Sequence, residues 1–180
     1  MIAEAAWQEF SLRKVLFIPS GDTPNKDMHH IDKNIRYAMV EKAIEGNGHF
    51  MISPIERDRQ GPSYTVDTIR ILQREFGDDY EFYFICGTDA VADLPTWKYN
   101  RELLSACHFI CASRPGNEIE IQKSIDYFGE LGRKKIHFLK TPELAISSTI
   151  LRDWIAEKRS VRYLIPDAVI AMIRSNKLYE

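Results

Sequence analysis

Two segments of the chain carry side chains that suit a phosphate, a ribose or a flat ring. Lys26 lies on a loop rich in Gly and Pro, where it can meet a phosphate as a point charge. Gly87-Thr88-Asp89 follows an apolar run, so a flat ring can approach the glycine and Asp89 can accept hydrogen bonds from ribose hydroxyls. Each has a structural alternative: a solvated lysine, and a turn in which Asp89 caps a short helix at Ala90–Leu94.

Two later segments add an aromatic ring and an anion site. Trp97 follows a proline on a loop, where an exposed indole stacks on a base or a pyridine ring, although an indole packed on the core is the alternative. A predicted helix start presents free N–H groups to an anion, and a helix cap with a surface arginine is the alternative. The polar side chains at this start are those of Ser147, Ser148, Thr149 and Arg152.

The elements that must position these residues alternate between helix and strand. Val15–Ile18 is an apolar run that predicts a strand buried on both faces, and Phe82–Cys86 predicts a second strand. Asp32 can cap the helix that is predicted directly after it in the chain. Thr65–Phe76 predicts another helix, which ends at Gly77. The other predicted strands are Phe50–Ile52, Phe109–Ala112 and Ile136–Leu139, and the other predicted helices are Ile2–Phe10, Asn100–Ser105, Ile119–Phe128 and two that begin near Ser148 and Asp167. This order predicts one α/β domain over residues 1–180, with a mostly parallel sheet and helices on both faces.

Composition excludes several classes of function. The 180 residues are 44% hydrophobic and 28% charged, which is typical of a globular domain. A net charge of -2 gives no basic field for nucleic acid, and no apolar run is long enough to cross a membrane. With no secretory signal visible, cytoplasmic localisation is expected. Cys86, Cys107 and Cys111 lack metal or disulfide spacing, so buried free thiols are expected.

Taken together, these segments resemble the bacterial nicotinate mononucleotide adenylyltransferase family. The resemblance covers essentially the whole chain, down to Leu178-Tyr179. Its motifs are Gly61-Pro62-Ser63-Tyr64-Thr65-Val66-Asp67-Thr68, Gly87-Thr88-Asp89, Leu94-Pro95-Thr96-Trp97, Arg114-Pro115-Gly116, Ile146-Ser147-Ser148-Thr149 with Arg152, and Ser160-Val161-Arg162-Tyr163-Leu164-Ile165-Pro166. The Gly-Pro-Ser-Tyr-Thr-x-Asp-Thr and Ile-Ser-Ser-Thr-x-x-Arg segments are its most specific parts.

The resemblance implies an enzyme with a Rossmann-like nucleotidyltransferase fold. The implied reaction transfers AMP from ATP to nicotinate mononucleotide, giving deamido-NAD and pyrophosphate, with Mg²⁺ bound through the ATP phosphates and no metal ligand from the chain. The resemblance implies that Tyr64, Thr65 and Trp97 bind the pyridine carboxylate and ring, and that Gly87 and Asp89 bind the adenosine. It also implies that the ATP phosphates are bound by Ser147, Ser148, Thr149 and Arg152, and that Lys26 lies near the reacting phosphates. The family commonly has His before this lysine, whereas this chain has Asn25.

Family members begin with a strand, a Gly-Gly-Thr/Ser-Phe-Asp-Pro loop and a His/Thr-x-Gly-His helix start, which are not found in this sequence. We therefore expect an N-terminally truncated domain that lacks its first central strand, and its catalytic histidines are unassigned. Unpaired backbone groups inside a sheet would cost roughly 1–3 kcal/mol each. His29-His30 is not a substitute, because its spacing and place differ.

Two rival functions stay open. The first is a non-catalytic nucleotide-binding module, and the second is an adenylyltransferase acting on phosphopantetheine, against which Tyr64-Thr65 and Trp97 argue. The sequence does not choose an oligomeric state, and a homo-oligomer is among the alternatives. The main prediction requires the helix start at Ser147–Arg152 to lie beside a pyridine pocket at Trp97.

Overall fold

The computed structural model describes residues 1–21, 31–61, 63–113, 118–142 and 146–180. Its internal contacts divide the chain into two compact units. Unit 1 comprises Met1–Arg13 and Ser63–Glu143, and unit 2 comprises Lys14–Pro62 and Leu144–Glu180. The single domain expected over residues 1–180 stays a prediction.

Helices and strands alternate along the described residues, as the sequence predicts. In chain order they are α1 (Ile2–Glu9), β1 (Val15–Phe17), α2 (Lys33–Ile44), β2 (Phe50–Ile52), α3 (Thr65–Phe76), β3 (Tyr83–Gly87), α4 (Thr88–Asp93), a short 3-10 helix (Leu94–Thr96), α5 (Asn100–Ala106), β4 (His108–Ser113), α6 (Glu118–Phe128), α7 (Glu130–Lys135), β5 (Ile136–Lys140), α8 (Ser148–Ala156) and α9 (Asp167–Ser175). All strand pairs among these elements are parallel. The α/β class with a parallel sheet is therefore confirmed.

Unit 1 contains a three-stranded sheet in the order β3-β4-β5. Phe109, Ile110 and Cys111 of the central strand are 0% exposed, because helices cover both of its faces. Ala6 of α1 packs with Ile110 and Leu139 in one buried cluster. Burial of each large apolar side chain contributes roughly 1.5–3 kcal/mol to folding, so this strand anchors the unit.

Unit 2 contains a two-stranded sheet in which β1 pairs with β2. Val15 lies opposite Phe50 in the register, and the rings of Phe17 and Phe50 meet edge to face, with centroids 5.0 Å apart. Only Val15 of β1 is buried, whereas Leu16 and Phe17 are half-buried. The expectation that this strand is buried on both faces is thus met only at Val15, since β1 has one paired neighbour among the described strands.

Local signals set several helix boundaries. α3 has the predicted bounds and ends at Gly77. The side chain of Asp32 accepts hydrogen bonds from the backbone N–H groups of Asn34 and Ile35, and these bonds lower the pKa of the carboxyl group. The prediction of an Asp32 cap is therefore confirmed. α7 was not expected, because Glu130–Lys135 shows no apolar periodicity.

The three cysteines are free thiols. Cys107 and Cys111 are buried as expected, whereas Cys86 is half-buried. Burial raises the pKa to about 12 for Cys86, to about 12 for Cys107 and to about 11 for Cys111. The thiols therefore stay protonated at neutral pH. Within the described ranges, no helix combines the length and the apolar character that a membrane span requires.

A directional relay of hydrogen bonds joins the amino-terminal ends of β4 and β5. The Lys135 Nζ lies 2.9 Å from His108 Nε2, and His108 Nδ1 lies 2.8 Å from His137 Nε2. An ammonium can only donate, so the Nε2 of His108 accepts and its Nδ1–H donates to His137. The ring of Tyr83 stacks on His108 with centroids 4.8 Å apart. Both histidines must be neutral to complete this relay.

We expect acid to destabilise unit 1 through these histidines. Burial is the main cause that lowers the pKa of both side chains, and Lys135 lowers each further, while Glu81 opposes the shift at His108. Below the ordinary histidine pKa of 6.5 the unfolded chain therefore binds more protons than the folded one. The stability that the neutral histidines contribute is fully present above pH 6.5, and it is lost as the pH falls through the lower pKa of the folded state.

The measurement is the melting temperature between about pH 7.5 and about pH 5.5. It should fall with acid in the parent protein and fall less in His108→Asn, whose amide can still donate to His137. His49→Gln, at an exposed histidine of unit 2, serves as the control and should keep the parent slope. Equal slopes in all three proteins would show that the relay does not titrate in this range.

Candidate functional site

In unit 1 the carboxyl edge of the sheet exposes a glycine. Gly87 is the last residue of β3, pairs with Ala112 of β4 and caps the start of α4. Its backbone is extended, and a Cβ added there would meet no atom within 4 Å. Neither protein packing nor a positive φ therefore requires glycine at this position. The sequence-based reason for this glycine, the close approach of a flat ring, stays a prediction.

Asp89 lies in the first turn of α4 and is exposed. The helix already begins at Thr88, with Gly87 as its N-cap, and no side chain forms a capping bond there. The alternative in which Asp89 caps a helix at Ala90–Leu94 is therefore wrong. The carboxylate stands at the exposed edge, near Gly87, where it can accept hydrogen bonds from a sugar.

Trp97 both packs on the sheet and keeps part of its surface open. Its ring meets Phe84 and Phe109 edge to face, with centroids 6.1 and 6.4 Å away, and the residue is half-buried. The indole thus lies against the core, as one alternative had it, and its remaining surface can contact a ligand ring. These ring contacts fix its orientation without any bound molecule.

Tyr64 lies close to the segment that follows Trp97. It is the N-cap residue of α3 and is 44% exposed, and Thr65 is the first residue of that helix. The Lys98 Nζ lies over the Tyr64 ring, 5.2 Å from its centroid. Unit 1 therefore brings together Tyr64, Thr65 and the segment of Trp97, three residues that the resemblance assigns to the pyridine.

In unit 2 the start of α8 has the predicted polar groups on its surface. The Ser147 Oγ accepts a hydrogen bond from the backbone N–H of Ile150, 3.1 Å away, and so caps the helix. The guanidinium of Arg152 donates to the Ser148 Oγ at 3.0 Å. Ser147, Ser148 and Thr149 are exposed. Hydroxyls, backbone amides and a guanidinium therefore meet at one helix start, an arrangement that suits a phosphate chain.

Arg36 of α2 is a residue that sequence reasoning missed. Its guanidinium donates to the backbone oxygens of Ser20 (2.8 Å), Gly21 (2.9 Å) and Ile31 (3.4 Å), and also to the Ser20 Oγ at 3.1 Å. Ser20 and Gly21 lie shortly after the end of β1, and Ile31 lies shortly before the start of α2. Arg36 therefore fixes both ends of the connection between these elements. The sequence carries no local signal for this role, because the acceptors are groups of the chain outside α2.

Several predicted residues lie outside the described part of the chain. They are Lys26, the neighbouring Asn25, His29-His30, Pro62 and Arg114-Pro115-Gly116. The expected placement of the Ser147–Arg152 group beside Trp97 also stays a prediction, since the two groups belong to different units. In the ranges that are described, no three His, Cys, Asp or Glu side chains are grouped as a metal site.

Comparison with known proteins identifies the class first. The cytidylyltransferase-like family matches residues 1–153. A nicotinic acid mononucleotide adenylyltransferase of Plasmodium falciparum, solved in complex with NaAD, shares the fold with a TM-score of 0.73 at 19% identity, over 99% of this chain and 90% of its own. A structure of the same enzyme complexed with APC gives a TM-score of 0.67 at 18% identity. The chain thus has the nucleotidyltransferase fold.

Curated relatives identify the particular family. The probable nicotinate-nucleotide adenylyltransferase of Moorella thermoacetica is 44% identical over 98% of this chain and 82% of its own length. That of a Thermoanaerobacter species is 41% identical over 99% of this chain and 85% of its own length. The chain belongs to the nicotinate-nucleotide adenylyltransferase family. The resemblance stated from the motifs is therefore confirmed.

We expect Gly87→Ala to weaken ATP binding without a cost in folding. The added methyl group meets no atom of the protein within 4 Å but would occupy the surface that the resemblance assigns to the adenosine. The free energy of unfolding should change by less than about 0.5 kcal/mol. The KM for ATP should rise about tenfold, which corresponds to about 1.4 kcal/mol of lost binding. Urea unfolding and steady-state kinetics of the full-length protein measure the two effects.

Gly48→Ala is the matched control, because a Cβ there also meets nothing within 4 Å and its φ is not positive. It should change neither the stability nor the KM. A Gly87→Ala protein that keeps the parent KM would remove the ligand-based explanation for this glycine.

We expect Arg36→Met to destabilise unit 2. The change removes four hydrogen bonds from a guanidinium to the chain on both sides of one connection. Bonds to a charged donor are worth more than neutral ones, so the free energy of unfolding should fall by about 2 kcal/mol. Arg174→Met is the control, since Arg174 is an exposed arginine in the last turn of α9, in the same unit, and should matter less. Equal losses in urea unfolding would contradict the role given to Arg36.

Proposed function

We propose that the protein transfers AMP from ATP to nicotinate mononucleotide, giving deamido-NAD and pyrophosphate. The observation that carries the proposal is the kinship with nicotinate-nucleotide adenylyltransferases, at 44% identity over 98% of the chain for the Moorella protein. The described side chains suit it: an exposed glycine and an aromatic ring in unit 1, and in unit 2 a helix start whose hydroxyls and guanidinium suit an anion.

The chemistry needs positioning more than a reactive side chain. A phosphate oxygen of the mononucleotide attacks the α-phosphorus of ATP, a new P–O–P bond forms, and the bond to the β-phosphate oxygen breaks, so pyrophosphate leaves. No covalent enzyme intermediate is required. Such transfers depend on alignment and on stabilising the charge of the phosphate oxygens. We therefore look for groups that hold the two substrates in line.

Two sets of residues are proposed for this alignment. Tyr64, Thr65 and Trp97 would hold the pyridine, with the ring of Trp97 already fixed by Phe84 and Phe109. Gly87 and Asp89 would receive the adenosine.

The phosphates would be held at α8. Ser147, Ser148, Thr149 and Arg152 would donate to the triphosphate, where preorganised donors lower the barrier because they need no rearrangement. Lys26, which the resemblance places near the reacting phosphates, completes the proposed set.

Mg²⁺ is the proposed cofactor. This ion binds phosphate oxygens and keeps several waters, so ATP itself can carry it to the site without a cage of protein ligands. When bound, it neutralises part of the phosphate charge. Arg152 at the start of α8, whose guanidinium is already held by Ser148, would meet the remaining charge.

The remaining proposals concern the setting of the enzyme. We propose the cytoplasm as its location, free nucleotides rather than nucleic acid as its ligands, and no membrane partner. The net charge of -2 supports the second point, because a nucleic-acid site usually requires a basic surface. A homo-oligomer stays open.

The test is pyrophosphate release by the full-length protein with ATP, nicotinate mononucleotide and Mg²⁺. We expect pyrophosphate and deamido-NAD in equal amounts, and no release when either substrate is omitted. Phosphopantetheine in place of the mononucleotide is the control for the rival substrate and should give no pyrophosphate. Binding of deamido-NAD without any turnover would instead establish the non-catalytic module, and release with phosphopantetheine alone would establish the other adenylyltransferase.

A further inference from the structure

A lysine ammonium lies between two tyrosines directly after Trp97. The Lys98 Nζ is 5.2 Å from the centroid of the Tyr64 ring and 5.2 Å from that of Tyr99. Tyr99 has a φ of +58° and caps the start of α5. Contacts of a cation with ring faces at this range are attractive and hold the ammonium in place. The side chain is exposed, so a ligand can reach it.

Two cations lie over the Tyr99 ring, and they differ in whether a carboxylate neutralises them. The guanidinium of Arg70 also lies over the Tyr99 ring, 5.3 Å from its centroid, but it is neutralised by two carboxylates. Asp67 accepts from its Nη1 at 2.8 Å, and Glu102 accepts from its Nε at 2.7 Å. For Lys98, by contrast, the described residues provide no carboxylate within ion-pair distance. Its charge is available to a ligand at Tyr64.

We propose that Lys98 is a specificity-determining residue that selects pyridine mononucleotides with a ring carboxylate over those with a carboxamide. The inference rests on the proposed function, because it takes Tyr64 as part of the pyridine subsite. The two ligands are nearly equal in shape and differ by one negative charge. A pocket separates such ligands poorly by shape, so a cation beside Tyr64 is a direct means of separation.

The size of the effect follows from the exposure of Lys98. An ion pair in contact with solvent changes affinity by a factor of up to about five. The attraction is also screened by salt, with a screening length of about 10 Å at 0.1 M that falls to about 3 Å at 1 M. The selectivity contributed by Lys98 should therefore shrink as salt is added, which loss of packing would not reproduce.

The experiment measures kcat and KM for nicotinate and nicotinamide mononucleotide in the full-length protein. Lys98→Gln should raise the KM for the acid about three- to fivefold, leave the KM for the amide within about twofold and leave kcat unchanged. The difference between the parent and Lys98→Gln should narrow between about 20 mM and about 500 mM salt. Lys98→Arg keeps the charge and should retain the parent selectivity.

Lys123→Gln is the matched control, because Lys123 is an exposed lysine of α6 that pairs with Glu120. It should change neither KM. An active parent enzyme in which Lys98→Gln leaves the ratio of the two KM values unchanged, whether both stay the same or both rise equally, overturns the role of Lys98. No turnover of either nucleotide by the parent would instead overturn the proposed function, so the two failures are distinguishable.

Discussion

The sheet of unit 1 depends on the burial of β4 on both of its faces. Phe109, Ile110 and Cys111 are fully buried, and successive side chains of a strand point to opposite faces, so other elements must cover both sides. Parallel strands cannot be joined by tight hairpins, and each connection crosses back over one face as a helix. Helical crossover connections thus account both for the helical layers and for the parallel order of the strands. Because the strands are parallel, their carboxyl ends lie at one edge of the sheet.

The segment that leaves this edge is held at several points. From Gly87 the chain runs through α4, where Val91 is 0% exposed, to Leu94, which is also 0% exposed. Trp97 then packs against Phe84. Because apolar burial fixes the segment, its polar and aromatic groups are held in place by the fold alone, before binding of the proposed ligand. Preorganisation of this kind lowers the free energy that binding must supply.

Helix α3 could be predicted from the sequence with its observed bounds, whereas α7 could not. The apolar residues of Thr65–Phe76 recur at helical spacing and meet a single buried surface, so local pattern and tertiary packing agree. Helix α7 (Glu130–Lys135) depends on a contact that the sequence does not display. A Cβ at Gly132 would lie 2.5 Å from the backbone oxygen of Ile125, so only glycine permits this close approach of α6 and α7. Local periodicity does not contain such information.

The candidate site divides in the same way. The hydroxyls at Ser147–Thr149 could be predicted because a helix start creates its own demand for acceptors, which nearby residues meet. Arg36 and Lys98 could not, because an arginine or lysine in a sequence looks the same whether it is solvated or held. The partners of Arg36 include Ser20 and Gly21, which stand 16 and 15 residues away. The sequence thus indicates which functional groups are present, and tertiary contacts decide which charged side chains are held by protein partners and which remain open to a ligand.

The two ends of the unit 1 sheet separate stability from ligand chemistry. His108 begins β4, and Gly87 pairs with Ala112, four residues further along that strand. A rise of about 3.3 Å per residue puts about 13 Å between them. At this distance no histidine ring of the relay can touch a ligand on Gly87. The relay can act there only through its charge, which salt screens less across a buried strand than it does at the surface. A change in ligand binding at a pH where unit 1 is still folded would therefore come from groups that bind the ligand, from the ligand itself, or from the charge of the relay acting along the strand.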